Sequence, residues 1–117
     1  MVAAYIASAL TLLMGLIAFL APHKAARLCA IGLPEGRSIS EYRATYGGFF
    51  IGLAVACLRF RTEVAFAVAG AAWLAAATAR LVSMLIDRQF TKMNAASLGI
   101  EAGVGFLFLV PLFTDAD

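Results

Sequence analysis

Two charged residues stand where an apolar helix should carry none. Arg80 and Glu101 each interrupt a long run of Ala, Leu, Val and Gly. A charge inside a membrane-spanning helix costs several kcal/mol unless it is paired or hydrated. Arg80 lies seven residues before Asp87, and Glu101 lies seven residues after Asn94. At 1.5 Å per residue, both sit roughly 10 Å in from the same connection. Equal depth on consecutive antiparallel helices is the condition for a salt bridge. Each residue also heads a polar stripe at helical spacing, Arg80/Ser83/Asp87 on one helix and Glu101/Ser97/Asn94 on the next. Such a pair can hold the polar head of a ligand, move a proton, or simply lock the register of two helices.

Further polar groups belong at the same level. Glu41, Arg43 and Tyr46 stand where a helix enters its apolar run, and His23 follows the first apolar block. The expectation is a polar cluster of Glu41, Arg43, Tyr46, Arg80, Ser83 and Glu101 in one leaflet, roofed by the first loop. Trp73 lies near the middle of its helix, where an aromatic belt does not explain it. It either fills the core or contacts a partner, a lipid or a pigment ring. Gly48/Gly52, Ala65 through Ala79, and Gly99/Gly103 give small-xxx-small spacing, which is read as internal helix packing.

The elements that must position these groups follow from composition. Of 117 residues, 63% are apolar and 14% charged, with a mean hydropathy of +0.93; a soluble domain carries about 25% charged residues. The apolar residues gather in blocks at 2–21, 44–58, 64–79 and 95–113. With their flanks these approach the roughly 20 residues a helix needs to cross the hydrocarbon. No period-two alternation supports a barrel. The fold class expected is therefore all-α: an integral membrane four-helix up-down bundle, one domain over 1–117, with spans at about 2–21, 43–60, 63–87 and 94–113. A short interfacial helix is expected at 24–31, between the first two spans. Ser38-Ile39-Ser40-Glu41 matches a capping box for the second helix, and Thr62 is placed to cap the third. The first block lacks Lys or Arg before it, so it is read as a retained span rather than a signal peptide.

Charge sets the orientation. Lys24, Arg27, Arg37, Arg43, Arg88 and Lys92 lie at one end, against Arg59 and Arg61 at the other. The positive-inside rule places loops 22–40 and 88–93 in the cytoplasm and both termini, with Asp115 and Asp117, in the periplasm. Cys29 and Cys57 fall at opposite faces, which argues against a disulfide or a metal pair. A single His rules out a bis-His haem, no metal-ligand set or cofactor motif occurs, and a net charge of +2 leaves no nucleic-acid footprint.

At Glu41-Tyr42-Arg43-Ala44-Thr45-Tyr46-Gly47-Gly48, followed by Arg80-Leu81-Val82-Ser83 and Glu101, the sequence resembles the bacterial proteins grouped as domain of unknown function 4345. These look like relatives of the wider DoxX-like group of four-helix membrane proteins. The resemblance covers nearly the whole chain. It implies four helices in a bacterial inner membrane and brings no activity with it. An Asp-Gly pair often ends the third helix in that pattern, whereas here Asp87 is followed by Arg88. Two function classes stand open. The first is a non-catalytic accessory subunit packing against a larger respiratory or photosynthetic type of complex, or against its own copies. The second is a binder or carrier of a small hydrophobic molecule, a lipid or quinone, with its polar head on Arg80, Glu101 and Tyr46. An enzyme using Glu101 as acid or base is a distant third.

Overall fold

The structure, a computed structural model, describes residues 1–29 and 31–114. The charges of Asp115 and Asp117 lie outside the described residues. Among the described residues, five continuous helical rods make up the fold. These are α1 (Val2–Leu20), α2 (Pro22–Leu28), a composite rod of α3 (Gly36–Tyr42), a π-helical segment (Arg43–Gly48) and α4 (Phe49–Phe60), then α5 (Glu63–Asp87) and α6 (Lys92–Phe113).

Four spans are expected; among the described residues three rods, α1, α5 and α6, are long and apolar enough to cross a membrane. The second rod differs because its regular apolar part is only 12 residues, preceded by the polar stretches GRSISEY and RATYGG. The capping box does not form. Helix α3 already begins at Gly36 behind Glu35, so Ser38 is inside the helix and cannot cap it. The interfacial helix expected at 24–31 is α2, displaced toward the N-terminus, with Pro22 in its first turn.

Local chemistry closes the other ends. Thr62 Oγ1 accepts from Ala65 N at 3.1 Å, and Thr91 Oγ1 accepts from Asn94 N at 3.1 Å. Rods α4 and α5 both stop on a left-handed residue, Arg61 at φ 50° and Arg88 at φ 54°. Glycine is the usual occupant of that conformation.

Successive long rods run antiparallel. Close approach occurs at Gly15 and Gly47 between α1 and the composite rod, and at Gly70 and Gly105 between α5 and α6. A Cβ on Gly105 would stand 2.8 Å from Leu74 Cγ and 3.2 Å from Leu74 N. The expected internal pairs Gly48/Gly52 and Gly99/Gly103 are instead exposed, with no atom closer than 3.8 Å to an added Cβ at any of them. Their neighbours Gly47 and Gly105 do the packing, because one or two residues along a helix turn the backbone to another face.

The main core gathers Ala4, Ala7, Cys57, Phe66, Trp73 and Phe108 toward the end that holds Met1 and the 61–62 turn. A smaller cluster of Ala18, Ala25, Ala26 and Tyr42 sits beneath the first loop. Polar atoms inside the core are satisfied locally. Ser8 Oγ donates to Ala4 O and Thr11 Oγ1 to Ala7 O, both at 2.8 Å. The molecule measures 47 × 31 × 16 Å along its principal axes, and its thin dimension is that of two packed helix layers. Leu13, Leu16, Val68, Leu85, Ile86 and Phe106 are exposed.

Candidate functional site

The pair expected from depth alone is present. Arg80 Nε donates to Glu101 Oε1 at 2.7 Å and Nη2 donates to Oε2 at 3.1 Å, a bidentate fork between α5 and α6. Nη1 donates to Asn94 Oδ1 at 3.1 Å, and Asn94 Nδ2 in turn donates to Gln89 O at 2.9 Å. The chain of contacts runs from the α5–α6 connection inward along one stripe. Its position follows from the close approach of the two helices lower down, where glycines at 70 and 105 let the backbones come together. Two charge-assisted bonds in fork geometry fix Arg80 far more tightly than a single contact would.

Tyr46 approaches the pair from the composite rod. Its ring lies 4.7 Å from that of Tyr42 and 6.1 Å from that of Phe50, and Phe50 meets Trp73 edge-on at 5.2 Å. Residues 42, 46 and 50 recur every four positions. In a pure α-helix of 3.6 residues per turn that spacing drifts around the axis; the wider turn of the π segment offsets the drift and keeps the rings in one column. The sequence gives no sign of this segment beyond Gly47-Gly48.

A cleft of about 350 Å³ opens between the composite rod and α5/α6. Phe49, Phe50, Leu53 and Trp73 form its apolar walls, while Thr45, Tyr46, Arg80 and Glu101 supply its polar groups. Rods α4 and α5 pack loosely against one another compared with α1 against α4 or α5 against α6, which leaves this space unfilled. Beyond Tyr46 and Phe50 lies a second cavity of about 560 Å³, bounded by Cys29, Tyr42 and Lys92 beneath the first loop. Outside, between α1 and α6, runs a groove of about 600 Å³ lined in part by Gly99 and Gly103.

The other residues of the expected cluster lie elsewhere. Glu41 is exposed and faces Arg37 at 4.0 Å, one helical turn away. Arg43 is exposed; its Nε donates to Phe19 O at 3.0 Å, and its guanidinium lies 5.8 Å from the Phe19 ring. Phe19 is in the last turn of α1, so Arg43 satisfies a carbonyl that the helix leaves open. Ser83 is exposed and takes part in no hydrogen bond among the described residues, and His23 is exposed on α2. Trp73 fills the core rather than the lipid surface: it is 7% exposed and its Nε1 donates to Thr11 Oγ1 at 3.2 Å. That bond ties α1 to α5. Asn94 belongs in the site and was visible on the polar stripe, whereas Phe49, Phe50 and Leu53 carried no signal beyond being apolar.

Among the described residues, no group of three or more His, Cys, Asp or Glu side chains could hold a metal ion, and Cys29 and Cys57 are both free thiols. No curated protein and no solved structure shows significant similarity to the chain. One family profile, described as Domain of unknown function (DUF4345), matches residues 2–112. With nearly the whole length matched, the chain belongs to that family of unknown function.

Proposed function

We propose that this protein is a four-pass protein of a bacterial inner membrane, of the DoxX-like kind, that binds a small amphiphile in the cleft ending at Arg80 and Glu101. The carrying observation is the cleft itself: an apolar-walled space with its charged pair, a tyrosine hydroxyl and a threonine brought together in one place. Its volume of about 350 Å³ lies at the low end of small-molecule sites, about 300–1,000 Å³. It would take a head group and the first part of a chain, with the remainder in the bilayer. A charge pair kept inside an apolar bundle is costly to retain without use.

The four-pass reading rests on geometry and charge. The composite rod spans residues 36–60 without a break; at 1.5 Å per residue it is about 35 Å long, enough for the roughly 30 Å hydrocarbon core. Its first residues, 36–42, would lie at the interface, leaving 43–60, about 27 Å of helix, for the hydrocarbon. Exposed apolar side chains on every long helix match a lipid surround. Loops 22–40 and 88–93 carry most of the cations, which favours the cytoplasm for that end and the periplasm for the termini.

A second reading, a non-catalytic accessory subunit or homo-oligomer, draws support from the exposed small-residue faces Gly48/Gly52 and Gly99/Gly103. One experiment separates the two. The tagged protein is purified in gentle detergent from its native membrane, alongside Ala76→Phe, which places a ring in the cleft while keeping both Arg80 and Glu101. Mass spectrometry then identifies what accompanies each. The binder reading expects a stoichiometric lipid with the wild type and its loss from Ala76→Phe. Stoichiometric protein companions, retained by both, would favour the subunit.

A further inference from the structure

Resting on the cleft as a binding site, we infer that it selects amphiphiles whose head is uncharged and accepts hydrogen bonds, and discriminates against anionic ones. The residues bordering the cleft include one cation, Arg80, and one anion, Glu101, already joined by two hydrogen bonds. Their fields cancel at any distance much larger than their 2.7 Å separation. A phosphate or carboxylate entering the cleft would give up its hydration and find no net positive charge in return. The geometry works against it as well. Glu101 already holds the side-on Nε/Nη2 edge of the guanidinium and Asn94 one N–H of Nη1, so an anion would compete with a carboxylate for the same group and find only one N–H on Nη1 and one on Nη2 left to it.

What the cleft retains is donor capacity. A guanidinium has five N–H groups, and three of Arg80's are engaged, two by Glu101 and one by Asn94. The Arg80 side chain is 34% exposed, against 15% for Glu101, so an incoming group meets the donor side of the pair rather than the acceptor side. Tyr46 and Thr45 add hydroxyls that can donate too. A glycerol ester, a ketone or an alcohol at the end of an apolar chain suits this set; a cation would meet the donors unfavourably. Glu101 is in this view a specificity-determining residue. It acts through Arg80, by cancelling a charge that would otherwise draw anionic lipids.

The test compares two probes that differ by one phosphate, 1-oleoylglycerol and 1-oleoylglycerol 3-phosphate, titrated into the purified full chain in uncharged detergent and read by native mass spectrometry. The wild type is expected to bind the neutral probe tighter by on the order of tenfold or more, a difference of about 1.4 kcal/mol per decade. Glu101→Gln, which keeps the shape and uncovers the Arg80 charge, should shift the ratio toward the phosphate by a similar factor. Equal or tighter wild-type binding of the phosphate overturns the inference while leaving the cleft reading standing. Binding of neither probe overturns both. Should the variant fail to fold, the wild-type ratio alone decides.

Discussion

If Arg80 and Glu101 form one unit, removing either should hurt far more than removing both. Glu101→Leu would strand a guanidinium that now spends two charge-assisted bonds on the carboxylate, at 2.7 and 3.1 Å. Bonds to charged groups contribute about 1.5–3 kcal/mol each, and orphaning one partner of a fully buried pair costs about 3–5 kcal/mol. Two facts lower the figure. The Arg80 side chain is 34% exposed, so water or lipid head groups recover part of the loss. Interhelical hydrogen bonds in membranes also average only about 0.6 kcal/mol, with a maximum near 1.7. About 2 kcal/mol is the expected loss for either single substitution to Leu. The double substitution leaves no unpaired charge and should lie within about 1 kcal/mol of wild type. Unfolding in mixed micelles, followed by helical circular dichroism and by the fluorescence of Trp73, gives the four free energies of the cycle. Single losses that simply add in the double variant would refute the pairing.

Three further outcomes follow from the backbone. Gly105→Ala drives a Cβ to 2.8 Å from Leu74 Cγ and 3.2 Å from Leu74 N, and should destabilise by about 1–3 kcal/mol through overpacking of α5 on α6. Gly103→Ala meets nothing within 4 Å and should be neutral or stabilising by up to about 1 kcal/mol in the same unfolding assay, since Ala is the better helix former. Arg88 holds φ 54° at the end of α5, so Arg88→Gly should stabilise by about 1 kcal/mol by relieving the left-handed strain, without altering lipid co-purification.

The site was partly legible before any coordinates. Arg80 and Glu101 stood out because lipid penalises idle charge, and simple rise per residue put them at one depth; the fork shows that they meet. Glu41 and Arg43 were placed with them because they share a level in the sequence, but level does not fix azimuth. Arg43 turns back to the Phe19 carbonyl, where an open helix end needs a donor. Small-residue spacing misled for a related reason. It is equally good facing in or out, and a shift from Gly48 to Gly47, or from Gly103 to Gly105, decides which. The π segment, which lines up Tyr42, Tyr46 and Phe50, has no period of its own to find. Trp73 was legible only as an anomaly, because its partner Thr11 is 62 residues away.

The same tryptophan offers the most direct test of the central claim. It is the chain's single Trp and forms part of the cleft wall. Brominated 1-stearoylglycerol, titrated into the protein in uncharged detergent, should quench Trp73 saturably with a stoichiometry of one, and Ala76→Phe should abolish the saturable phase. Quenching that rises linearly without saturation, unchanged in Ala76→Phe, would show that the probe reaches Trp73 only from the surrounding micelle and would contradict a binding site in the cleft.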